Sequence, residues 1–169
     1  MPLQTSLTAI AAFAKEKETE NLQFIDQLKQ MNSEEVDAAV YELNQSIEPQ
    51  IDCTQCGNCC KTLMVNITSE EADKAAAHLQ LSRKAFDEAY VEKGSHELMI
   101  INRMPCHFLK GTSCSIYEHR FAGCREFPAL HLPRFTDRLF TVMMHYDRCP
   151  IIFNVVEALK KETHFSISV

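Results

Sequence analysis

The chain has 169 residues, a formal net charge of −6 at pH 7 and eight cysteines. This length is typical of a single domain that buries a hydrophobic core without disulfide bonds. The acidic balance argues against nucleic acid as the main partner, because neutralising phosphates requires a basic surface. The N-terminus lacks a signal-peptide pattern, and no apolar run reaches the roughly 18 residues of a membrane span, so we expect a cytoplasmic protein without a membrane partner.

A helical hairpin is predicted for residues 1–48, packed as part of the same domain as the cysteine-containing region of residues 49–169. Apolar side chains recur in this N-terminal region at helical spacing. They fall on two helix faces, Leu22, Ile25, Leu28 and Met31 on the first and Val36, Val40, Leu43 and Ile47 on the second. Ser33 is the expected N-cap of the second helix, and Pro49 is expected to end it.

Four of the cysteines lie in the short run Cys53-Thr-Gln-Cys56-Gly57-Asn58-Cys59-Cys60. A Cys-x-x-Cys spacing lets two sulfurs converge on one metal across a tight turn, and Gly57 can supply the positive φ that such a turn needs. Packing alone gives no reason for this spacing, and disulfide-dense domains are smaller, secreted and richer in cysteine. We therefore predict that all eight cysteines are metal ligands: Cys53, Cys56, Cys59, Cys60, Cys106, Cys114, Cys124 and Cys149.

The remaining sequence predicts short elements around the cysteines. A strand is expected over residues 63–67, a capping box at Thr68 and Glu71 opens a helix, and Ser82 opens another. Further along, we expect a strand over 97–102, a hairpin over 105–114, a strand over 138–145 and a last helix opened by Cys149-Pro150. The fold class is mainly α with a few short strands, an irregular cysteine-rich metal-binding domain preceded by the helical hairpin.

Polar residues near the downstream cysteines are expected to surround the centre rather than to ligate it. Tyr117, Glu118, Arg120 and Arg125 are predicted to hydrogen-bond or pair around thiolates, because cations lower the cost of concentrating negative charge. His107 and His119 are weaker ligand candidates, since a lone histidine is more often a hydrogen-bonded structural residue.

The cysteine blocks resemble those of the CxxCxxCC family, also called the YkgJ-type cysteine cluster proteins. The resemblance covers about residues 52–150 through the blocks Cys53-x-x-Cys56-Gly57-x-Cys59-Cys60, Pro105-Cys106-x-Phe108-Leu109, Cys114-Ser115-Ile116-Tyr117-Glu118-x-Arg120, Cys124-Arg125-x-Phe127-Pro128 and Cys149-Pro150. It implies a zinc- or iron-chelating domain. Phe121 stands where the family commonly has proline, which affects a local turn and not the ligands. A flagellin lysine N-methylase looks related through the same cysteine cluster, so the resemblance also permits an enzyme.

Two kinds of metal centre fit the spacing. Cys53-x-x-Cys56-x-x-Cys59 followed by a remote Cys-Pro is similar to the ligand pattern of a [4Fe–4S] cluster. Zinc is usually held by two Cys-x-x-Cys knuckles, whereas the downstream cysteines here are single. An iron–sulfur cluster is therefore favoured, with a zinc or iron ion as the alternative. Adjacent residues cannot easily turn both sulfurs toward one small ion, so Cys59 and Cys60 suggest two neighbouring sites or one spare thiol.

The predicted function is metal binding with a structural, redox or electron-transfer role. A metal-dependent enzyme related to lysine N-methylases and a metal storage or delivery protein are the alternatives. The chain has four glycines, none in a Gly-x-Gly pair, and no Cys-x-x-x-Cys-x-x-Cys motif, so the usual signals of S-adenosylmethionine and radical enzymes are absent. Metal is the only partner that the sequence indicates.

Overall fold

The computed structural model describes residues 2–95 and 98–167. Helices predominate among these residues and the few strands are short, which confirms the predicted mainly α class. The described residues separate into two compact units, one formed by residues 2–51 with 128–167 and the other by residues 52–127. None of the helices in the described ranges is long and apolar enough to cross a membrane.

The elements are numbered in chain order. The helices are α1 (Leu7–Glu16), α2 (Glu18–Gln30), α3 (Ser33–Ile47), α4 (Cys53–Cys56), α5 (Asn58–Thr62), α6 (Ser69–His78), α7 (Arg83–Tyr90), α8 (Ala122–Glu126), α9 (Leu139–Met143) and α10 (Pro150–Glu162). The strands are β1 (Asn66–Ile67), β2 (Val91–Lys93), β3 (Met99–Ile101), β4 (Leu109–Lys110) and β5 (Ser113–Cys114). Short 3-10 helices cover Glu48–Gln50, Tyr117–His119 and Phe135–Arg138.

The N-terminal region of the first unit contains three helices, because Lys17 leaves the regular helical conformation between α1 and α2. Asn32, not Ser33, caps α3, since its side-chain oxygen accepts hydrogen bonds from the backbone N–H groups of Glu34 and Glu35. An asparagine in the extended conformation is as good an N-cap as a serine, and here it precedes the serine in the chain.

The buried face of α2 differs from the predicted one. Asn21, Phe24 and Leu28 are buried, whereas Leu22 is 60 % exposed. The predicted last helix is confirmed as α10, which packs against α3. A polar residue can occupy the buried face of α2 because the Asn21 Oδ1 atom accepts a hydrogen bond from Lys160 of α10 at 2.6 Å.

Lys160 is the centre of a buried ionic network in the first unit. Its side chain is 6 % exposed, and its Nζ atom lies 2.8 Å from Glu20 and 2.7 Å from Glu157. Lys17 contacts the same two carboxylates: it shares the Oε1 atom of Glu20 with Lys160, at 3.1 Å, and binds the other oxygen of Glu157 at 2.8 Å. A buried ammonium group is tolerated only where such partners replace its hydration.

The network also sets the ionisation of Glu157. Burial alone would raise the pKa of this carboxyl group, but hydrogen bonds from Lys160, Lys17 and Tyr146 lower it below its usual range. The ionised carboxylate therefore stabilises the folded state above the unfolded pKa of about 4.3, and this contribution is lost as the pH falls through the lowered folded value.

The second unit is built around two small antiparallel sheets. The first has the strand order β1-β3-β2, and the second is the β4–β5 hairpin. Strands or a hairpin therefore occur where the sequence predicts them over residues 63–67, 97–102 and 105–114, although Glu97 lies outside the described residues. The capping box at Thr68 and the N-cap Ser82 are also confirmed. The core of this unit contains Ile67, Ala72, Ala75, Ala76, Phe86, Met99, Ile101, Phe108, Ile116 and Phe121.

The strand predicted over residues 138–145 is wrong, because this segment is helical. Backbone N–H groups of Arg134 and Phe135 donate to the Asp37 carboxylate at 2.6 and 2.8 Å, and a 3-10 turn starts there and continues into α9. Leu139 and Val142 are buried at helical spacing. The β-branched and aromatic residues favoured a strand locally, and the tertiary contact with Asp37 determined the outcome.

Replacing the buried cation tests the ionic network. The substitution Lys160→Met should lower the free energy of unfolding by about 3 kcal/mol, because it leaves two partly buried carboxylates with Lys17 as their remaining close cation. Urea denaturation at pH 7 measures the change. The matched control is Lys29→Met, which removes an exposed pair with Asp26 and should change stability by less than about 0.5 kcal/mol. Equal effects of the two substitutions would contradict a stabilising role for the network.

Candidate metal centre

The β1–β3 pairing brings two cysteines of the second unit together. Asn66 stands opposite Ile100, and Ile101 N–H donates to the Val65 carbonyl at 2.9 Å next to this pair. Further from the sheet, Cys106 N–H donates to the carbonyl of Cys60, on α5, at 2.8 Å. Two cysteines 46 positions apart are therefore held side by side by backbone hydrogen bonds.

The β4–β5 hairpin supplies a third cysteine. Cys114 pairs with Leu109, and the next residue continues the ladder through a hydrogen bond from Ser115 N–H to the Phe108 carbonyl at 2.7 Å. Leu109 N–H donates to the Cys106 carbonyl at 3.0 Å. Cys106 and Cys114 thus both lie at the open end of this hairpin.

A fourth cysteine, Cys124, lies on the short helix α8. The Glu71 carboxylate of α6 accepts the backbone N–H of Ala122 at 2.6 Å with one oxygen and that of Thr68 at 2.9 Å with the other. Burial raises the pKa of this carboxyl group, but these donors and the charge of Arg125 lower it below its usual range. An ionised carboxylate at its first turn therefore fixes the position of α8.

We call Cys60, Cys106, Cys114 and Cys124 the inner thiol group. The last three of these pack against the hydrophobic core of the second unit. Burial, followed by the nearby thiols of the group, raises the pKa of Cys124 to about 12. The pKa of Cys60 is raised first by a hydrogen bond with the Cys59 thiol and then by burial. Four sulfurs that resist separate ionisation at neutral pH become thiolates readily only when a cation binds among them.

The positively charged side chain of Arg120 influences the ionisation of the inner thiol group. Its guanidinium lowers the pKa of Cys60, Cys114 and Cys124, although burial and the neighbouring thiols have the larger, opposite effect on each. The guanidinium carbon stacks over the Tyr117 ring at 3.8 Å from the centroid. The Nε atom is buried and has no hydrogen-bond partner in the described part of the chain. A buried donor of this kind suits an anionic metal–thiolate centre, so the donor set fits a thiophilic metal.

The other three cysteines of the run, Cys53, Cys56 and Cys59, are the outer cysteines. Cys53 is exposed, and the other two are half-buried. Cys53 and Cys56 begin and end the single turn of α4, which is capped by Asp52 through the backbone N–H of Thr54. Gly57 ends the turn in the left-handed conformation, as predicted, and the chain continues into α5.

The turn of α4 lies against the tip of the β4–β5 hairpin. A Cβ atom on Gly57 would lie 2.5 Å from the Thr112 carbonyl oxygen, so only glycine fits this approach. The Ser113 hydroxyl also donates to the Thr54 carbonyl at 3.1 Å. The outer cysteines are therefore held near the turn of the hairpin, whereas Cys106 and Cys114 lie at its open end.

The predicted eight-cysteine set divides between the two units. Seven cysteines belong to the second unit, and Cys149 is buried in the first, at the N-cap of α10. Within residues 2–95 and 98–167, no three histidine, cysteine or acidic side chains converge closely enough to hold one metal ion. Ligation by each of the eight cysteines stays a prediction.

The polar residues that the sequence predicts around the metal centre lie in different environments. Tyr117 contacts Arg120, and Arg125 donates to the Arg120 carbonyl, so both contribute to holding this arginine. Glu118 is exposed. His107 shares a hydrogen bond with Asn102 at 2.6 Å, and the His119 ring stacks on His78 at 3.9 Å between centroids.

Two residues that organise the site were not identified from the sequence. The capping-box pattern predicts that one oxygen of the Glu71 carboxylate accepts the backbone N–H of Thr68. The other oxygen accepts the backbone N–H of Ala122, and this contact depends on where α8 lies relative to α6. Thr112 acts through its backbone carbonyl, which carries no side-chain signal. The sequence clues to this contact were Gly111, which precedes Thr112, and the glycine turn at Gly57.

One comparison with known proteins identifies a family whose model covers the cysteine-containing part of the chain. The family model "CxxCxxCC: Putative zinc- or iron-chelating domain" matches residues 52–150, more than half of the chain. No curated protein and no solved structure gives a significant match. The matched range includes the inner thiol group, the outer cysteines and Cys149.

Adding a methyl group at Gly57 tests the contact between α4 and the hairpin. Gly57→Ala should destabilise the protein by about 1–3 kcal/mol more than Gly111→Ala and should reduce the bound metal. Both glycines have a positive φ, but a Cβ at Gly111 meets nothing within 4 Å, so this control isolates the conformational cost of about 1 kcal/mol. Urea denaturation and elemental analysis give the two readouts. Indistinguishable variants would show that the close approach to Thr112 is unimportant.

Neutralising Glu71 tests its role in holding α8. In Glu71→Gln a single amide oxygen replaces two acceptors, so one backbone N–H of Thr68 or Ala122 loses its partner, at a cost of about 2 kcal/mol. The matched control Glu70→Gln changes an exposed neighbour that pairs with Lys74 and should alter stability by less than about 0.5 kcal/mol. Thermal unfolding compares the two, and a larger effect at Glu70 would contradict the assignment.

Proposed function

Because the chain belongs to the CxxCxxCC family of zinc- or iron-chelating domains, we propose that its inner thiol group holds an iron–sulfur cluster. The carrying observation is that backbone contacts hold Cys106 beside Cys60 and place Cys106 and Cys114 at the same end of the β4–β5 hairpin. The raised pKa of Cys124, to which these three thiols contribute after burial, agrees with its lying near them. We propose a redox or electron-transfer role in the cytoplasm, where thiols stay reduced.

The origin of the four thiols supports a cluster over a single zinc ion. Four cysteine ligands are the usual set for a [4Fe–4S] cluster, and the inner thiol group supplies four from separate segments of the chain. Zinc is more often held by Cys-x-x-Cys knuckles, and no two members of the inner thiol group have this spacing.

The surrounding residues would tune such a centre. The apolar core behind Cys106, Cys114 and Cys124 limits access of water, and the buried Nε–H of Arg120 is available to donate to a sulfur. Hydrogen bonds to sulfur and exclusion of solvent are two of the means by which proteins set the potential of an iron–sulfur cluster. When bound, the cluster supplies one-electron chemistry, and these residues hold it and balance its charge.

Anaerobic purification followed by spectroscopy and elemental analysis tests the proposal. We expect broad absorbance near about 400 nm, with iron and acid-labile sulfide in equal amounts. Cys124→Ser should lose this absorbance and most of the iron. The control Ser115→Ala, which removes an exposed hydroxyl beside Cys114, should retain both.

The same measurements separate the zinc alternative. A colourless wild-type protein that contains zinc without sulfide would overturn the cluster while leaving metal binding by the family intact. A wild-type protein without iron or zinc would overturn metal binding itself. Retention of iron and sulfide in Cys124→Ser would remove Cys124 from the ligand set.

A further inference from the structure

A short face of the second unit lies directly beside the inner thiol group. Two backbone hydrogen bonds join the segments that form it, one from Ile101 N–H to the Val65 carbonyl at 2.9 Å and one from Cys106 N–H to the Cys60 carbonyl at 2.8 Å. The stretches of chain between these two bonds run next to each other. The face therefore ends at the backbone of two proposed ligands of the cluster.

The exposed side chains of this face include two methionines and two cations. Met64 is 60 % exposed and Met104 is 46 % exposed. Lys61 and Arg103 are also exposed. We call Lys61, Met64, Arg103 and Met104 the methionine patch. It combines an apolar, adaptable surface with positive charge.

The charge of the methionine patch is opposite to that of the whole chain. Segments 58–66 and 102–110 contain three basic residues and no acidic residue, although the chain has a net charge of −6. None of the ion pairs in the described part of the chain involves Lys61 or Arg103, whereas the lysines of α6 and α7 each pair with a glutamate one turn away. The positive charge of the patch is therefore available to a partner.

Arg103 is close to the inner thiol group as well as exposed. Asn102, which precedes it, shares a hydrogen bond with His107 at 2.6 Å. Burial, followed by the charge of Arg103, lowers the pKa of His107. Because His107 directly follows Cys106, the guanidinium lies near the segment that carries this proposed ligand.

We infer that the methionine patch is the docking surface for an acidic protein that carries a one-electron redox group. This role rests on the proposed function, because it assumes a redox centre in the inner thiol group. A negatively charged partner surface is steered toward Lys61 and Arg103, since opposite charges raise the rate of encounter. Methionine packs against surfaces of varied shape, and both methionine and arginine are enriched in protein interfaces.

The step that this contact serves is the transfer of one electron. The electron leaves the reduced group of the partner, which is oxidised, and enters the cluster, which is reduced, and no bond is formed or broken. The rate of such a transfer falls exponentially with the distance between the two groups. A docking surface beside the backbone of Cys60 and Cys106 keeps this distance short.

The size and charge of the methionine patch favour a protein partner over nucleic acid or a membrane. Transient electron-transfer complexes bury less than about 1,200 Å² in total, so a few side chains are sufficient. A polyanion requires a broad basic surface, and the net charge of −6 opposes its approach.

Docking is tested with two acidic one-electron carriers as probes, a plant-type [2Fe–2S] ferredoxin and a flavodoxin. The oxidised probes are titrated into the anaerobically purified full-length protein, and binding is measured by calorimetry. The reduced probes are then mixed with the same protein, and electron transfer is followed by stopped-flow absorbance. We expect weak, transient binding and a transfer rate that falls steeply as the ionic strength rises.

Charge reversal in the patch should slow the transfer. Lys61→Glu/Arg103→Glu should lower the rate with each probe by about tenfold at low ionic strength and flatten its salt dependence, and Lys61→Gln/Arg103→Gln should have an intermediate effect. The matched control Lys74→Glu/Lys84→Glu changes the net charge equally on α6 and α7 and should keep the rate within about twofold. Iron, sulfide and the rate of reduction by dithionite, a small reductant, should be the same in all of these proteins.

An apolar variant separates a protein partner from a polyanion. Met64→Gln/Met104→Gln keeps the charge of the patch and should weaken binding of both probes several-fold without changing its salt dependence. If charge reversal removes iron from the protein, this variant and the glutamine variant of the two cations decide the outcome.

Several results would overturn the docking surface. These are no binding of either probe to the wild type, unchanged binding and rates in the patch variants, or an equal loss in the control. Binding of RNA or anionic vesicles through Lys61 and Arg103, with neither probe bound, would assign the patch to a polyanion instead. A wild type without iron and sulfide would overturn the proposed cluster, and binding of the oxidised probes would still decide the docking surface.

Discussion

The candidate centre depends on one backbone interaction, the hydrogen bond between Cys106 N–H and the Cys60 carbonyl at 2.8 Å. It extends the pairing of β1 with β3 beyond the strands and joins the cysteine run to the downstream blocks. The β4–β5 hairpin then adds Cys114, and α8 adds Cys124. If the β1–β3 register slipped by one residue, the Cys106 N–H would no longer meet the Cys60 carbonyl.

The two units are stabilised in different ways. The first is a set of helices with an apolar interior, in which Asn21, Asn44 and the paired Lys160 are buried polar residues. The second has strands of two or three residues and helices as short as one turn, so its own secondary structure stabilises it little. For such a unit the free energy of metal binding is part of the free energy of folding. The hydrophobic core behind the inner thiol group and the Glu71 hydrogen bonds already restrict the conformations of the segments that carry these cysteines. Metal binding therefore has less conformational freedom to remove.

The surroundings of the inner thiol group suit the proposed centre. An apolar core lies behind Cys106, Cys114 and Cys124, and the Nε–H group of Arg120 is buried. Both features suit a centre that stays bound and exchanges electrons. The turn that carries Cys53 and Cys56 lies at the surface instead, where Cys53 is exposed.

The sequence by itself determined the elements whose signals are local. The mainly α class, the capping box at Thr68, the left-handed Gly57 and the final helix after Cys149 follow from spacing and backbone preferences, and the cysteine blocks were sufficient to identify the family. Only the tertiary structure decided what depends on distant partners. Asn21 replaces Leu22 on the buried face of α2 because Lys160 lies opposite, and residues 139–143 are helical because Asp37 caps the preceding turn. The division into inner and outer cysteines was also decided there, since it depends on the β1–β3 register and on the approach of Gly57 to Thr112, two contacts between segments far apart in the chain.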